Sequence, residues 1–264
     1  MKKYVVIGNP IEHSLSPLLH NHWIKEKNLK AIYDKRKSEK DELKEIISSI
    51  KNKNIAGANV TIPFKNEVIK YLDKLKPEAE KTQSVNTIYL EDNFLIGANT
   101  DIKGFELAMN DTGFNVSQKS ILILGAGGVV PSIIFALKRM QASEITVSNR
   151  TKTNAEGLKD MFGDLKIIEW GQSSSFDLVI NATSLGLKPD DKIDFDYSKV
   201  GKNKFFYDVI YNPEETNFLK TAKELNHKTE NGLKMFLYQA AEAFKVWHGF
   251  NPDINESTFG LFKK

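Results

Sequence analysis

The sequence predicts an α/β protein with two domains. Short apolar runs alternate with segments of helical periodicity along most of the 264 residues. One apolar run, Ser120–Leu124, ends in a glycine-rich turn, and a helical pattern follows the turn. With 41% hydrophobic residues, a chain of this length can bury two separate cores.

The first hundred residues alternate between strands and helices. The clearest helix contains Leu43, Ile46, Ile47 and Ile50, which recur at helical spacing. Another helix is expected to begin at Ser16, which would cap it, with a proline at the first helical position. Strands are expected at residues 3–8, 31–35 and 55–61, helical segments at 66–72 and 77–84, and a hairpin pairing 85–90 with 94–99.

A helix over residues 102–112 leads into the second half, which has the same alternation. Its expected strands cover residues 120–124, 144–148, 165–168, 177–181 and 205–209, with a helix at 129–141. A long apolar helix at 233–247 leaves this domain, and we expect it to return to the first one.

Composition excludes several classes of function. The 37 basic and 34 acidic residues give a net charge of only +3, and the lysines are scattered, so nucleic-acid binding is not indicated. The chain has no cysteine, hence no disulfide and no thiolate chemistry. His20 and His22 fall on different faces of a predicted helix, so we expect no metal site. The apolar runs are too short for a signal peptide or a membrane span, which predicts a soluble cytoplasmic protein.

The glycine-rich turn predicts a dinucleotide site. Gly125 and Gly127 follow a buried strand and precede a helix, where glycines let the backbone approach a pyrophosphate at the helix N-terminus. The usual third glycine is replaced by Val130. After the next strand, Asn149 and Arg150 stand where NAD-binding proteins carry an acid, and a cation there favours the 2′-phosphate of NADP. The alternative is an unliganded turn with Arg150 as a solvated charge.

The whole chain resembles the shikimate dehydrogenase family. The matching stretches, in chain order, are Gly8-Asn9-Pro10, Ser14-Leu15-Ser16-Pro17, Asn59-Val60-Thr61-Ile62-Pro63-Phe64-Lys65, Val85-Asn86-Thr87, Asn99-Thr100-Asp101, Gly125-Ala126-Gly127-Gly128, Asn149-Arg150-Thr151, Asn181-Ala182-Thr183-Ser184, Asn231-Gly232 and Gln239-Ala240. The resemblance implies NADPH-dependent reduction of 3-dehydroshikimate to shikimate, in the pathway to chorismate and the aromatic amino acids. It also implies a substrate-binding α/β domain, residues 1–102 completed by a C-terminal helix in 234–264. A Rossmann-like NADP-binding domain, residues 103–233, would complete the active-site cleft.

The resemblance assigns roles to residues that also have simpler interpretations. Lys65 and Asp101 would be the catalytic pair. Asp101 could also cap the following helix, a role that can coexist with catalysis, or it could mainly bind a substrate hydroxyl. Ser14 and Ser16 would hold the substrate carboxylate, although Ser16 could only cap its helix. The resemblance implies that Asn86 and Gln239 also bind the substrate. Asn59 and Thr61 are two apart on a strand and share a face that suits a polyol. Tyr211 could reach the substrate carboxylate or the nicotinamide edge, or could only pack in its loop. The residues implied to bind cofactor are Gly125, Ala126, Gly127, Gly128, Val129, Asn149, Arg150, Thr151, Thr183, Ser184 and Gly232.

The sequence departs from the family pattern at Lys234, where a small residue is usual, and at Asn154, where a second basic residue is common. Weaker selectivity for NADP follows as an expectation. Two alternative functions stay open: a dehydrogenase that also oxidises quinate, often with NAD, and a regulator that binds a dinucleotide without catalysis. The expected partners are small molecules only, without nucleic acid or membrane, and the protein is expected to be a monomer or a homodimer.

Overall fold

A computed structural model describes residues 1–262, and the chain divides into two compact units. The first unit comprises Met1–Gly104 and Leu237–Lys264, and the second comprises Phe105–Phe236. Residues 263 and 264, part of the predicted C-terminal segment 234–264, lie outside the described residues.

The strands and helices alternate along the chain, as the sequence predicts. The strands are β1 (Lys2–Gly8), β2 (Ala31–Lys37), β3 (Gly57–Val60), β4 (Lys74–Leu75), β5 (Thr87–Glu91), β6 (Phe94–Ala98), β7 (Ser120–Leu124), β8 (Glu144–Ser148), β9 (Lys166–Ile168), β10 (Leu178–Asn181), β11 (Phe205–Asp208) and β12 (Lys228–Glu230). The helices are α1 (Ser16–Glu26), α2 (Leu43–Lys51), α3 (Pro77–Thr82), α4 (Asp101–Asp111), α5 (Val130–Arg139), α6 (Lys152–Phe162), α7 (Asn217–Glu224), α8 (Leu233–His248) and α9 (Glu256–Gly260).

The first unit contains a mixed six-stranded sheet in the order β2-β1-β3-β5-β6-β4. β1 pairs in parallel with β2 and β3, while β5 is antiparallel to both β3 and β6. The predicted hairpin is therefore confirmed. The apolar face of α2 is also confirmed: Leu43, Ile46, Ile47 and Ile50 are at most 1% exposed and join the core beneath this sheet. Burying each of these side chains contributes about 1.5–3 kcal/mol.

The second unit contains a fully parallel sheet in the order β12-β11-β10-β7-β8-β9. Read from its other edge, this is the strand order of a dinucleotide-binding Rossmann fold, which confirms the predicted fold class. The chain reverses its direction of winding between β7 and β10. Ligands of such sheets bind beside the carboxyl ends of the strands at this reversal.

Several elements differ from the sequence prediction. Residues 66–72 form turns and a single 3₁₀ turn, Ile69–Tyr71, rather than a regular helix. The sequence reasoning missed the helices α6, α7 and α9, which bury only two, three and one residues respectively and so have short apolar faces. Within residues 1–262, no helix is both long and apolar enough to cross a bilayer.

Candidate active site

A buried ion pair lies at the centre of the polar residues of the first unit. Lys65 Nζ donates to Asp101 Oδ2 across 2.6 Å, and the two side chains are only 12% and 8% exposed. Removing one partner of such a pair costs about 3–5 kcal/mol, because it leaves the other charge uncompensated. The fold thus holds an ammonium and a carboxylate in a defined geometry with little access to water.

Backbone contacts place both members of the pair. Lys65 stands in the turn after β3, and its carbonyl accepts from the backbone N–H of Val85 at 2.8 Å. Asp101 is the first residue of α4, and its own N–H donates to the side chain of Asn99 at 3.2 Å. One oxygen of the Asp101 carboxylate is directed to Lys65, so the predicted pair is present whether or not the side chain also contributes to the cap of α4.

Ser14 and Ser16 lie at the start of α1. The N-cap is Leu15, without a side-chain bond, so the predicted capping role of Ser16 is wrong. Ser14 Oγ accepts from the Ser16 N–H at 3.4 Å, which places the two residues in contact. Both side chains are half-buried, and their hydroxyls can donate to a small anion at this helix start.

Asn59 is held at the end of β3 by three hydrogen bonds. Its Oδ1 accepts from the hydroxyl of Tyr33 at 2.6 Å, and its Nδ2 donates to the carbonyl of Asn86 at 2.9 Å and to Thr87 Oγ1 at 3.2 Å. Tyr33 is fully buried, and sequence reasoning missed it because a tyrosine in a strand is normally a core residue. Thr61, two residues beyond Asn59, is half-buried after the strand ends.

Asn86 connects the strands to the C-terminal helix of the first unit. Its Oδ1 accepts from the Thr100 N–H at 2.8 Å, while its Nδ2 donates to Thr100 Oγ1 at 2.9 Å and to Gln239 Oε1 at 3.4 Å. Gln239 lies on α8, where α4 crosses it at Gly104. A Cβ on Gly104 would stand 2.7 Å from Gln239 Cβ and 2.8 Å from its backbone nitrogen. Only glycine allows this close crossing.

Tyr211 belongs to the second unit and is half-buried there. Its ring stacks on Phe236 with a centroid distance of 4.5 Å and an interplanar angle of 19°. Burial raises the pKa of Tyr211 to about 12. These contacts favour the packing interpretation, and a substrate contact for Tyr211 stays a prediction.

The glycine turn has the geometry of an anion-binding loop. Gly125 adopts φ +111°, and its N–H donates to the Ser148 carbonyl at 2.8 Å. A Cβ on Gly125 would stand 2.9 Å from the Ala182 carbonyl, so the turn can lie this close to β10 only with glycine. Val129 is the N-cap of α5 and makes no side-chain bond. The N–H groups of Val130 and Ser132 already donate to backbone carbonyls, and Pro131 has no N–H, so a phosphate would meet the glycine turn and the positive end of the helix dipole. Val130 is fully buried in place of the third glycine.

The segment after β8 carries the cation expected to select the cofactor. Arg150 is exposed and makes no ion pair within residues 1–262, whereas the neighbouring Lys152 pairs with Glu169 at 3.2 Å. Asn149 Nδ2 donates to the Thr151 carbonyl at 2.7 Å, and Thr151 is the N-cap of α6. An exposed guanidinium thus stands immediately before the N-cap of a helix.

A buried polar cluster lies beyond β10 and β11, and sequence reasoning missed its central residue, Asp208. Asp208, the last residue of β11, accepts from Asn181 Nδ2 at 3.0 Å, from the Ile210 N–H at 3.0 Å and from the Thr216 hydroxyl at 2.6 Å. Burial raises the pKa of Asp208 to about 6, and these three hydrogen bonds oppose the rise only in part. Asn181 Oδ1 in turn accepts from the N–H and hydroxyl of Thr183. A polar residue ending each of two apolar strands was the available signal.

Gly232 and Lys234 lie at the start of α8. A Cβ on Gly232 would stand 2.1 Å from the Val209 carbonyl oxygen, so no other residue fits there without moving the backbone. Lys234 does not enter open space: it pairs with Asp111 at 2.9 Å and with Glu230 at 3.6 Å. The departure from the family pattern at position 234 is therefore accommodated by an ion-pair cluster.

No three His, Cys, Asp or Glu side chains among the described residues are placed to hold a metal ion. His20 is instead stacked on Tyr33, with a centroid distance of 4.2 Å. Burial lowers the pKa of His20 to about 3, assisted by the charge of His248, so its imidazole is neutral at physiological pH.

A parallel sheet with a glycine turn, together with a buried ammonium–carboxylate pair, defines a dinucleotide-dependent oxidoreductase. Family models match three parts of the chain: the shikimate dehydrogenase substrate binding domain at residues 6–88, the shikimate / quinate 5-dehydrogenase at 106–186 and the shikimate 5'-dehydrogenase C-terminal domain at 232–256. The chain belongs to the shikimate dehydrogenase family of NADP-dependent oxidoreductases, as the sequence resemblance predicted.

Relatives match over nearly their whole length. The shikimate dehydrogenase (NADP(+)) of Pelagibacter ubique is 53% identical over 260 residues, which covers 98% of both chains. That of Caldicellulosiruptor saccharolyticus is 40% identical, covering 94% of this chain and 92% of the relative. The shikimate dehydrogenase of Thermus thermophilus in complex with NADP(H) and shikimate is 31% identical with a TM-score of 0.89, covering 99% of this chain and 97% of that one.

Proposed function

We propose that this protein catalyses the reversible reduction of 3-dehydroshikimate to shikimate with NADPH, in the pathway to chorismate and the aromatic amino acids. The observation that carries the proposal is the buried contact between Lys65 and Asp101. Bound NADPH supplies the hydride. Hydride transfer to a ketone creates negative charge on its oxygen, and an ammonium beside that oxygen can stabilise the charge and then donate a proton.

Asp101 has two roles in this proposal. Its hydrogen bond to Lys65 Nζ restricts the ammonium to one direction, so that less orientational entropy is lost when the ketone binds. Its second oxygen can accept from a hydroxyl of the substrate. Both roles require a carboxylate in a fixed position. Asp101 has one because it is the first residue of α4.

The remaining polar residues of the first unit suit a carboxylated polyol. We assign Ser14 and Ser16 to the carboxylate, because both serines stand at a helix start and the Ser16 N–H already bonds the Ser14 hydroxyl. Asn59, Thr61, Asn86 and Gln239 are assigned to the ring hydroxyls.

We assign NADP to the second unit, and the substrate to the first. The glycine turn, at the positive end of the α5 dipole, fits a pyrophosphate, and the unpaired guanidinium of Arg150 fits a 2′-phosphate. The segment around Thr183 and Ser184 and the start of α8 at Gly232 lie in the same unit and are assigned to the rest of the cofactor.

We further propose that the partners are small molecules and that the enzyme is cytoplasmic. Small molecules suffice as partners, since the net charge of +3 is spread over the sequence and offers no polyanion-binding run. The absence of cysteine suits the reducing cytoplasm, where we place the enzyme.

The test is a rate assay at the absorbance of the reduced nicotinamide, with shikimate or quinate and with NADP⁺ or NAD⁺. We expect the highest kcat/KM with shikimate and NADP⁺. Comparable rates with quinate would favour the broader dehydrogenase, and no turnover with any pair would favour the non-catalytic regulator.

Lys65→Ala tests the mechanism in the same assay. We expect kcat to fall about 100- to 10,000-fold, the range for loss of a general acid or base, with a smaller effect on NADP⁺ binding. Lys70→Ala, which removes an exposed lysine of the same segment, is the control and should keep its activity. Because Lys65→Ala leaves Asp101 buried without its cation, the pair Lys65→Ala/Asp101→Asn provides a folded reference without either charge. Near-parental turnover by Lys65→Ala would refute the mechanism while leaving the family assignment intact.

A further inference from the structure

Three segments of the second unit meet at one buried carboxylate. Asp208 is 0% exposed, and each of its three hydrogen-bond donors comes from a different segment. Asn181 lies at the end of β10, Ile210 in the loop after β11, and Thr216 at the start of α7. None of these donors is charged, so the carboxylate is solvated by dipoles alone in a site that excludes water.

The first segment leads from Asp208 to the glycine turn. The carboxylate and the Leu185 carbonyl each accept from Asn181 Nδ2 at 3.0 Å, and together they fix the orientation of this amide, because both can accept only from its nitrogen. Asn181 Oδ1 must therefore face Thr183, from which it accepts two hydrogen bonds, at 3.0 Å from the N–H and 2.7 Å from the hydroxyl. The methyl group of Thr183 then lies against the turn: a Cβ on Gly125 would be 3.0 Å from it.

The second segment leads from Asp208 to the start of α8. The Ile210 N–H donates to the carboxylate, and the Ile210 carbonyl accepts from the Gly232 N–H at 3.1 Å. The third segment is α7, whose N-cap Thr216 uses its hydroxyl proton on Asp208 while its oxygen accepts from the Leu219 N–H at 3.4 Å. Thr216 also packs against Gly186, where a Cβ would be 3.0 Å from the Thr216 methyl group.

We propose that Asp208 is a positioning residue for the cofactor site, acting through Asn181 and Ile210 on the segments that contain Thr183 and Gly232. This inference rests on the assignment of those segments to NADP. Asp208 itself contacts neither phosphate nor nicotinamide in this proposal; it fixes the direction of the amide and backbone groups that do. An apolar residue could fill the volume but would leave two N–H donors and one hydroxyl buried without partners.

The experiment measures NADP⁺ binding by calorimetry to the whole protein and to its Asp208→Ala and Asp208→Asn variants. Asp208→Ala should weaken NADP⁺ binding about 10- to 100-fold, because two positioned groups lose their partner. Asp208→Asn keeps an acceptor oxygen for Asn181 and Ile210, so it should stay within about 3-fold of the parent. The KM for shikimate should stay within about 2-fold in both.

Asn181→Ala separates positioning from simple loss of stability. If the effect runs through Asn181, the Asp208→Ala/Asn181→Ala pair should weaken NADP⁺ binding no more than the stronger of the two single changes. Asp177→Ala is the matched control, since Asp177 also binds a backbone N–H and a side chain of this unit, but at the opposite, amino-terminal end of β10. The NADP⁺ affinity of Asp177→Ala should stay within about 2-fold of that of the parent protein.

Two results would overturn the inference. One is unchanged NADP⁺ affinity in Asp208→Ala. The other is a double variant whose loss of NADP⁺ affinity equals the product of the two single losses. A parent protein that binds NADP⁺ but does not oxidise shikimate would instead refute the proposed reaction and leave the role of Asp208 standing. Should Asp208→Ala fail to fold, Asn181→Ala alone decides, because normal NADP⁺ affinity in that variant contradicts the proposed path.

Discussion

The buried carboxylate of Asp208 should make the second unit less stable at neutral pH than in mild acid. Its pKa rises from an ordinary value of 3.8 to about 6, a displacement of about two pKa units. Each unit corresponds to about 1.4 kcal/mol, so the ionised form disfavours folding by about 3 kcal/mol. Between pH 4 and pH 6 the folded chain holds a proton that the unfolded chain has released. The free energy of unfolding therefore decreases by about 3 kcal/mol as the pH rises through this window, and Asp208 adds no further change above it.

Asp208→Asn removes this dependence, because an amide does not titrate. Between pH 4 and pH 7 the variant should gain about 3 kcal/mol relative to the parent protein, which is roughly 1.5 M in urea midpoint at a slope of about 2 kcal/mol per M. The assay is urea unfolding followed by fluorine NMR of 5-fluorotryptophan. Trp170 reports on the second unit alone, since it packs against the core cluster that includes Phe206.

The control is Asp177→Asn. Burial acts to raise the pKa of Asp177, but hydrogen bonds from the Ser120 N–H and Lys204 outweigh it and lower the pKa. Asp177 therefore contributes stability that is lost only as the pH falls below 3.8, outside the window, and its variant should keep the parental slope between pH 4 and pH 6. A parent protein whose Trp170 midpoint is flat over this range, or an Asp208→Asn variant with the same slope as the parent, would refute the reasoning.

Three further predictions concern the two binding sites and one glycine. Replacing Ser14 and Ser16 with alanine should raise KM for shikimate about 5-fold each, at ~1 kcal/mol per hydrogen bond, with less effect on kcat; an unchanged KM in the double variant would exclude carboxylate binding. Arg150→Ala should abolish a preference of about 10-fold for NADP⁺ over NAD⁺ by weakening NADP⁺ alone, and equal losses in both dissociation constants would contradict 2′-phosphate recognition. Gly232→Ala should destabilise the second unit by about 1–3 kcal/mol, because its Cβ would overlap the Val209 carbonyl. Gly128→Ala, whose Cβ would meet no atom within 4 Å, is the control in the same unfolding assay.

Much of the fold could be predicted because its strongest elements have local signals. Helix α2 has four core residues at helical spacing, and β7 is an apolar run ended by glycines. Helix α6 could not be predicted in the same way, because only Ala155 and Leu158 are buried and the rest of the helix is polar. Its position comes from packing against β8 and β9 rather than from its own periodicity.

The candidate site could be predicted in its parts but not in its contacts. Lys65 and Asp101 are 36 residues apart, and only the folded sheet brings them within a hydrogen bond. Tyr33 gave no signal, since its ring is a core residue and only its hydroxyl serves Asn59. Asp208 was missed because a single acid at the end of an apolar strand resembles a turn residue unless it is considered together with Asn181, at the end of the neighbouring strand.

The close crossing at Gly104 has an evolutionary consequence. Asp101 stands one helical turn before Gly104 on α4, and Gln239 lies on the facing turn of α8. The distance between these two side chains is therefore set by the contact between the backbones of α4 and α8, and not by the surrounding loops. Insertions and substitutions in the loops of the first unit can accumulate without altering that spacing. A single methyl group at position 104 would change the spacing between Asp101 and Gln239. Substitution of Gly104 is therefore not tolerated, even though this residue itself contacts no ligand.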